Sequence, residues 1–147
     1  EYAFYLNDLI GSGYSSQVYK CHHKDAPKQL FAIKVIKLSK MSKQITISTK
    51  LNKNTSRTGP SKYYQIPNVY YTQNNCYIVT DYCEGGTLQE IIDKNVEFNS
   101  EDVINQLASG SKYLVEKLIM HRDIKPANVF LQGKLWKIGD FGFARYL

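Results

Sequence analysis

One stretch, residues 120–142, constrains the fold of this chain more than any other. Two short apolar runs within it, 129–131 and 135–138, are typical of a β-hairpin. Polar side chains stand at fixed offsets around these runs: His121, Arg122, Asp123, Lys125, Asn128 and Asp140. Asn128 precedes the hairpin and Asp140 follows it, so the hairpin would hold these two side chains on opposite sides of a single polar site. The alternative is that an Asp and an Asn in loops are only turn residues, but then the whole ordered set would have to arise together.

The offsets resemble two motifs of the eukaryotic protein kinases, HRDxKxxN and DFG. The resemblance implies that Asp123 orients the proton of the substrate hydroxyl, and that Lys125 lies against the transferred phosphoryl group. Both are therefore candidate catalytic residues. It also implies that Asn128 and Asp140 hold Mg²⁺, a hard ion that prefers oxygen ligands.

A glycine-containing loop near the start carries a second part of the resemblance. Gly11 and Gly13 let backbone N–H groups approach phosphate closely, although a hairpin turn would use the same residues. The strand predicted at 30–34 resembles the kinase VAIK strand, whose lysine, here Lys34, contacts the α- and β-phosphates. Ser16 replaces the third glycine of the family, which predicts a modestly looser phosphate grip. The candidates for nucleotide binding in this region are Ile10, Gly11, Ser12, Gly13, Tyr14, Ser15, Ser16, Gln17, Val18, Ala32 and Lys34.

A third part of the resemblance lies in the middle of the chain. Residues 63–72 and 76–80 are typical of two paired strands, and they lead into residues 81–86. The latter resemble the kinase hinge, whose backbone binds adenine, with Thr80 at the back of the pocket. A strand leaving into a glycine turn fits these residues equally well, and only the order of the motifs favours the hinge. The candidates for base binding are Thr80, Asp81, Cys83 and Phe130.

Two helices are predicted after this segment. The first covers 88–94 with Thr87 as its N-cap, and the second covers 100–118 with Ser100 as its N-cap. The second helix has an apolar stripe that we interpret as core: Val103, Ile104, Leu107, Ser111, Leu114 and Leu118.

One departure from the kinase pattern concerns the partner of Lys34. In the family, a glutamate on the helix after the lysine strand pairs with that lysine. This sequence has no Asp or Glu from Val35 to Thr80, and the candidate helix at 39–54 offers Lys50 near the expected position. We expect less efficient catalysis rather than lost nucleotide binding, because an unpaired lysine is less well positioned. A damaged or misread gene would leave the same pattern.

The length of 147 residues suffices for one domain with a core, but it is roughly half of what a protein kinase domain needs. We therefore expect the front part of a kinase domain with an α+β fold. A small antiparallel N-lobe would cover 1–80, a hinge 81–86, and the first part of a helical C-lobe 87–147. Because the stripe of the second helix then stays partly exposed, we expect a poorly stable, aggregation-prone chain.

Composition limits the other function classes. The net charge is +6, and it is uneven: eleven Lys/Arg and three Asp/Glu up to Thr80 give +8, whereas eight and ten from Asp81 onward give −2. No aromatic-basic module accompanies the basic half, so we expect no nucleic-acid partner. No signal peptide or membrane-spanning run is present in the sequence, and the three cysteines form no CxxC pair. We predict no membrane partner and a cytoplasmic location.

The function that the sequence favours is an ATP- and Mg²⁺-dependent serine/threonine protein kinase acting on protein substrates. Lys125 within HRDIKPAN resembles the serine/threonine kinases rather than the tyrosine kinases. DFGFAR resembles the autophagy-initiating kinases and ANVFL the NIMA-related kinases, so the subfamily stays open. A pseudokinase that binds nucleotide or a partner without turnover, or an inert truncated product, are the alternatives.

Overall fold

Six antiparallel strands form the main sheet. The computed structural model of the chain describes residues 1–13, 16–40 and 68–147. Within these residues the strands are β1 (Tyr2–Ala3), β2 (Leu9–Ser12), β3 (Ser16–His23), β4 (Ala26–Lys37), β5 (Asn68–Tyr71) and β6 (Asn75–Asp81). They lie in the order β1-β3-β4-β6-β5, and β2 pairs with β3. The small antiparallel sheet predicted for the first part of the chain is confirmed.

One face of this sheet is covered by the start of the chain. The buried cluster on that face consists of Tyr19, Cys21, Phe31, Ile33 and Val79, and Tyr2 and Phe4 pack against it. Strand side chains alternate between the two faces. The residues between these core positions therefore point to the opposite face, and four of the predicted nucleotide-binding residues are among them: Val18, Ala32, Lys34 and Thr80.

Two helices and four short strands make up the rest of the described chain. They are α1 (Leu88–Asp93), α2 (Ser100–Glu116), β7 (Ile119–Met120), β8 (Val129–Gln132), β9 (Leu135–Ile138) and β10 (Arg145–Tyr146). β8 and β9 form the predicted hairpin, and β7 pairs with β10. Buried apolar side chains hold the hairpin on the two helices: Leu88, Val103, Val129 and Trp136. The α+β class is thereby confirmed. Among the described helices, none has the length and apolar character needed to cross a bilayer.

The helix starts agree with the predictions for α1 and differ by one residue for α2. The Thr87 hydroxyl accepts a hydrogen bond from the Glu90 amide at 3.2 Å, and the Glu90 carboxylate accepts one from the Thr87 amide at 3.1 Å. This is a complete capping box. At α2 the N-cap is Asn99, whose side-chain oxygen accepts from the Asp102 amide at 3.1 Å, so the prediction of Ser100 was wrong. Asn and Ser are equally good caps, and sequence alone does not decide between neighbours.

The apolar stripe of α2 is only partly core. Val103 and Leu114 are buried and Leu107 packs beside them. Ile104 is 65% exposed and Leu118 is 58% exposed, so the core interpretation was wrong for these two residues, whereas the expectation that the stripe stays partly exposed is confirmed. The buried residues lie on the face of α2 that meets the hairpin. Ile104 is turned about 100° away from Val103 on the helix, and Leu118 lies beyond the helix end.

Two further predictions concern residues near the gap between 40 and 68. The strand predicted at 63–72 corresponds to β5 over Asn68–Tyr71, and its first five residues lie outside the described ranges. The helix predicted at 39–54 also lies outside them from residue 41 onward, while Leu38–Lys40 forms a single 3₁₀ turn.

Candidate active site

The pairing register of the main sheet gathers four predicted nucleotide-binding residues on one face. Val18 lies directly opposite Lys34, and Ala32 lies directly opposite Thr80. Directly opposed residues of an antiparallel pair point to the same side of a sheet, and so do residues two apart along a strand. The face opposite the buried Tyr19–Phe31 cluster therefore carries an apolar patch, and Lys34 and Lys20 lie on this same face.

The loop between β2 and β3 is closed by a hydrogen bond at its base. The Gly13 amide donates to the Ser16 carbonyl at 2.8 Å, and Ser12 lies opposite Gln17 in the strand pair. Tyr14 and Ser15, the other two predicted nucleotide-binding residues of this loop, lie outside the described residues.

The backbone around Gly11 has open space beside it. Among the residues that the structure describes, a Cβ placed on Gly11 would meet only the Val18 side chain at 3.7 Å, an ordinary contact distance. Ile10 occupies the register shift between Leu9 and Gly11 and is 48% exposed. Packing against the described residues therefore does not require a glycine at position 11, whereas close approach of a ligand to the backbone would.

Lys34 has a carboxylate partner, and it is Asp140. The Lys34 ammonium donates to the two carboxylate oxygens of Asp140 at 2.9 and 3.0 Å. Both side chains are partly exposed, at 29% and 39%. This ion pair was not predicted, because the family pattern puts the partner on the segment after β4, where no acidic residue occurs. The pair joins the main sheet to the DFG segment across 106 residues.

Asp123 lies at the centre of a second polar group. Its Oδ2 accepts hydrogen bonds from the Asn128 side-chain amide at 2.8 Å and from the Lys125 ammonium at 2.9 Å. The Asn128 nitrogen also donates to the Asp123 carbonyl at 2.8 Å. The Lys125 hydrogen bond holds the pKa of the Asp123 carboxyl below its usual value, and the Asn128 hydrogen bond adds to this effect. Asp123 is therefore a carboxylate at neutral pH.

The two motifs are joined through Gly139 and His121. The Gly139 amide donates to the Asn128 carbonyl at 2.9 Å, and the Gly139 carbonyl lies 2.9 Å from His121 Nε2. The Asp123 amide donates to His121 Nδ1 at 3.3 Å. Because a carbonyl only accepts and an amide only donates, Nε2 carries the proton and Nδ1 accepts. The buried His121 ring thus fixes the distance between Asp123 and the residue before Asp140.

Two backbone positions in this region are strained. Arg122 has φ = 67° and Asp140 has φ = 55°, both in the left-handed region that non-glycine residues rarely adopt. The Asp140 side chain compensates by accepting from the Gly142 amide at 3.3 Å, and Arg122 Nε donates to the Phe143 carbonyl at 2.7 Å. Strain of this kind is concentrated at functional sites.

The predicted hinge runs along the β8–β9 hairpin. Two backbone hydrogen bonds join these segments. The Gly85 amide donates to the Leu131 carbonyl, and the Leu131 amide donates to the Gly86 carbonyl. The Gln132 side chain donates to the Tyr82 carbonyl at 3.2 Å. Cys83, which is buried, follows the end of the strand that carries Thr80, and Phe130, which is half-buried, lies opposite Thr87. Three of the four predicted base-binding residues therefore lie at the end of β6, and Phe130 lies on the hairpin that pairs with the segment after them.

The residues predicted to hold Mg²⁺ have suitable donor atoms. The amide atom of Asn128 that contacts the two Asp123 oxygens must be its nitrogen, because oxygen would not bond to oxygen there. Its carbonyl oxygen, together with the Asp140 carboxylate, then provides the oxygen ligands that Mg²⁺ prefers. Mg²⁺ usually keeps several waters and takes few protein ligands, so two are sufficient. Among the described residues, no group of three or more His, Cys, Asp or Glu side chains could hold a metal ion.

The chain is similar to proteins of one known family over nearly all of its length. A family model described as "Protein kinase domain" matches residues 4–147. The chain is 32% identical over 98% of its length to the serine/threonine-protein kinase atg1 of Dictyostelium discoideum, and 33% identical over all of its length to human serine/threonine-protein kinase ULK1. It is 32% identical over 98% of its length to human serine/threonine-protein kinase Nek11.

The matched part of these relatives is short. The chain spans 24% of the length of atg1, 15% of ULK1 and 24% of Nek11. The resemblance noted in the sequence is nevertheless confirmed over almost the whole chain, from the glycine-containing loop to the DFG segment. The chain belongs to the protein kinase domain family.

Proposed function

We propose that this chain is the nucleotide-binding and catalytic front part of a serine/threonine protein kinase. It would transfer the γ-phosphate of ATP, in the presence of Mg²⁺, to Ser and Thr hydroxyls of protein substrates. One observation carries the proposal: five polar side chains from β4 and from two loops form two groups of direct contacts, linked through Gly139. These side chains are Lys34, Asp140, Asn128, Asp123 and Lys125.

The main sheet would bind the nucleotide. Val18 and Ala32 provide an apolar surface for the base, and Thr80 closes its inner end. Lys34, on the same face, would meet the phosphates. Bound ATP and Mg²⁺ would supply an electrophilic phosphoryl group whose negative charge the metal offsets.

Lys34 and Asp140 would exchange partners on nucleotide binding. In the free site they neutralise each other at 2.9 Å. When Asp140 serves as a metal ligand, its oxygens are no longer free for the lysine, which can then turn to the phosphates. The site thus keeps its charges balanced in both states, although the chain has no acidic residue between Ala26 and Thr80.

Asp123 would position the substrate hydroxyl. Its Oδ2 is occupied by Asn128 and Lys125, and among the described residues no donor contacts Oδ1. Oδ1 is therefore the oxygen that can accept the hydroxyl proton. Lys125, 52% exposed, can leave Asp123 and follow the phosphoryl group, because its stem is long and flexible.

A second candidate function is nucleotide binding without turnover. The observation that favours it is the use of Asp140, a predicted metal ligand, as the partner of Lys34. A lysine that competes with the metal for one carboxylate is positioned less firmly than one with a partner of its own.

Location and domain boundaries are parts of the same proposal. We place the protein in the cytoplasm and divide it into an N-lobe at 1–80, a hinge at 81–86 and a partial C-lobe at 87–147. The three cysteines are buried and none of them forms a disulfide, which supports a reducing compartment. Cell fractionation tests the location.

The experiment that tests the kinase proposal compares Asp123→Asn with the exposed, matched control Asp93→Asn. The 147-residue chain is incubated with Mg²⁺, γ-³²P-ATP and mixed peptides containing Ser or Thr. We expect phosphate transfer that falls by roughly 100-fold or more in Asp123→Asn and is unchanged in the control. A thermal shift with ADP and Mg²⁺ is measured in parallel. A shift without transfer supports the second candidate, and the absence of both contradicts the whole proposal.

A further inference from the structure

Lys137 is a buried charge that the proposed chemistry does not use. It is 6% exposed, and among the described residues it is the only Lys, Arg, Asp or Glu that is buried. A buried ammonium ion is costly unless a carboxylate or several acceptors compensate it. Lys137, which lies in β9 three residues before Asp140, therefore needs a compensating group nearby.

The partner of Lys137 is the first residue of the predicted hinge. The Lys137 ammonium donates to Asp81 Oδ2 at 2.9 Å. The Lys137 side chain is 7% exposed and that of Asp81 is 44% exposed, so the pair reaches from the interior to the surface. Asp81 is also the last residue of β6, the strand that carries Thr80.

Lys137 points to the side of the hairpin that faces the hinge. Its directly opposed partner in β8 is Phe130, so the two side chains share one face. The neighbouring Trp136 and Val129 belong to the cluster on the helices, which is the other face. One lysine thus lies beside Phe130 and bonds to Asp81, two of the four residues predicted to surround the base.

We infer that the Asp81–Lys137 ion pair is a positioning element for the nucleotide base. It ties the end of β6 to the hairpin, and so it fixes the hinge backbone at Asp81 relative to Phe130. The inference rests on the proposed function, since it concerns the nucleotide site of a kinase domain. This pair is distinct from the Lys34–Asp140 pair that is proposed to meet the phosphates and the metal, so it should influence base binding and leave phosphate binding unchanged.

The two partners should respond differently to substitution. Lys137→Met removes the buried charge, fills a similar volume and leaves Asp81 with access to water. Asp81→Asn instead leaves an ammonium ion buried without a carboxylate, which is the costlier change. We expect a lower melting temperature for Asp81→Asn than for Lys137→Met, and recovery in the double variant.

The test measures ligand binding by calorimetry with adenosine and with magnesium tripolyphosphate, on the full chain. In Lys137→Met we expect adenosine to bind roughly tenfold more weakly, because the hinge has lost a charge-assisted hydrogen bond. Tripolyphosphate should bind within about twofold of the wild type, by the same arithmetic. The matched control is Lys134→Met, an exposed lysine in the turn of the same hairpin, which should change neither constant.

The double variant Asp81→Asn/Lys137→Met keeps the test decisive if a single variant does not fold. It contains no buried unpaired charge, so it should melt near the wild-type temperature while adenosine binding stays weak. Unchanged adenosine binding would overturn the inference, and so would parallel losses for both ligands that follow the melting temperature. If the wild-type chain binds neither adenosine nor tripolyphosphate, the proposed function is overturned as well. If the wild type binds both and the variants bind both equally well, only the inference is overturned.

Discussion

At the scale of single residues, the charge state of Asp123 follows from its neighbours. The carboxylate accepts from Lys125 at 2.9 Å and from Asn128 at 2.8 Å, and its pKa is lowered, with the Lys125 hydrogen bond as the largest cause. A carboxylate that orients a hydroxyl must be ionised at the working pH. The lysine two residues along the chain provides for this without a metal.

The lowered pKa of Asp123 predicts a specific acid response. A carboxyl with a folded-state pKa below its unfolded value of 3.8 adds stability above that pH, and the addition is lost as the pH falls through the folded pKa. The difference in urea midpoint between the wild type and Asp123→Asn should be constant between about pH 5 and pH 7. Below about pH 4 the wild-type midpoint should fall relative to that of the variant. In a Lys125→Met background the loss should be smaller. A wild-type urea midpoint that rises relative to that of the variant in acid would contradict the lowered pKa of Asp123.

The sequence predicted single residues better than it predicted their partners. The offsets of Asp123, Asn128 and Asp140 were enough to predict a candidate site, because motifs of this kind are local in the chain. The pairs Lys34–Asp140 and Asp81–Lys137 join residues 106 and 56 positions apart. No periodicity or spacing encodes a contact of that kind, since it exists only once the sheet and the hairpin are packed together.

At the scale of elements, local chemistry determines where each helix begins. Both helices start at a residue whose side-chain oxygen accepts from the third amide of the helix, Thr87 for α1 and Asn99 for α2. Periodicity predicted that α2 exists, but it left the boundary uncertain by one residue because both candidates can cap.

The position of the α2 cap predicts unequal effects for two neighbouring substitutions. Asn99→Ala removes the acceptor for the Asp102 amide and should lower the free energy of unfolding by about 1 kcal/mol. Ser100→Ala should change it by less than about 0.5 kcal/mol, since Ser100 is inside the helix. Urea unfolding of both variants measures this difference. Equal losses of unfolding free energy, or a larger loss for Ser100→Ala, would contradict Asn99 as the N-cap.

At the scale of the whole molecule, one face of α2 has apolar residues in contact with solvent. Ile104 is 65% exposed and Val115 is 64% exposed, and eleven residues of helix bring them to nearly the same side. The stripe predicted from the sequence contains Ile104 but puts it on the same face as Val103. The actual face is adjacent, because the hairpin selects which side of the helix it covers.

The exposed face of α2 predicts that solubility and stability can be changed separately. The double variant Ile104→Lys/Val115→Lys should reduce self-association in sedimentation velocity, because it breaks up exposed apolar surface. Its melting temperature should stay within a few degrees of the wild type. Val103→Lys, on the buried face one residue away, should instead lower the melting temperature sharply. Equal melting losses for both variants would show that the face is not solvent-exposed.

The contact between Lys34 and Asp140 has a consequence for how this sequence can change over generations. Under the proposed function, one acidic side chain serves both a cation of the protein and a cation of the ligand. No spare carboxylate occurs between Ala26 and Thr80 to take over either duty. A single codon change at position 140 would therefore remove both the partner of Lys34 and the proposed metal ligand. A new glutamate earlier in the chain could pair with Lys34 and leave Asp140 for the metal alone.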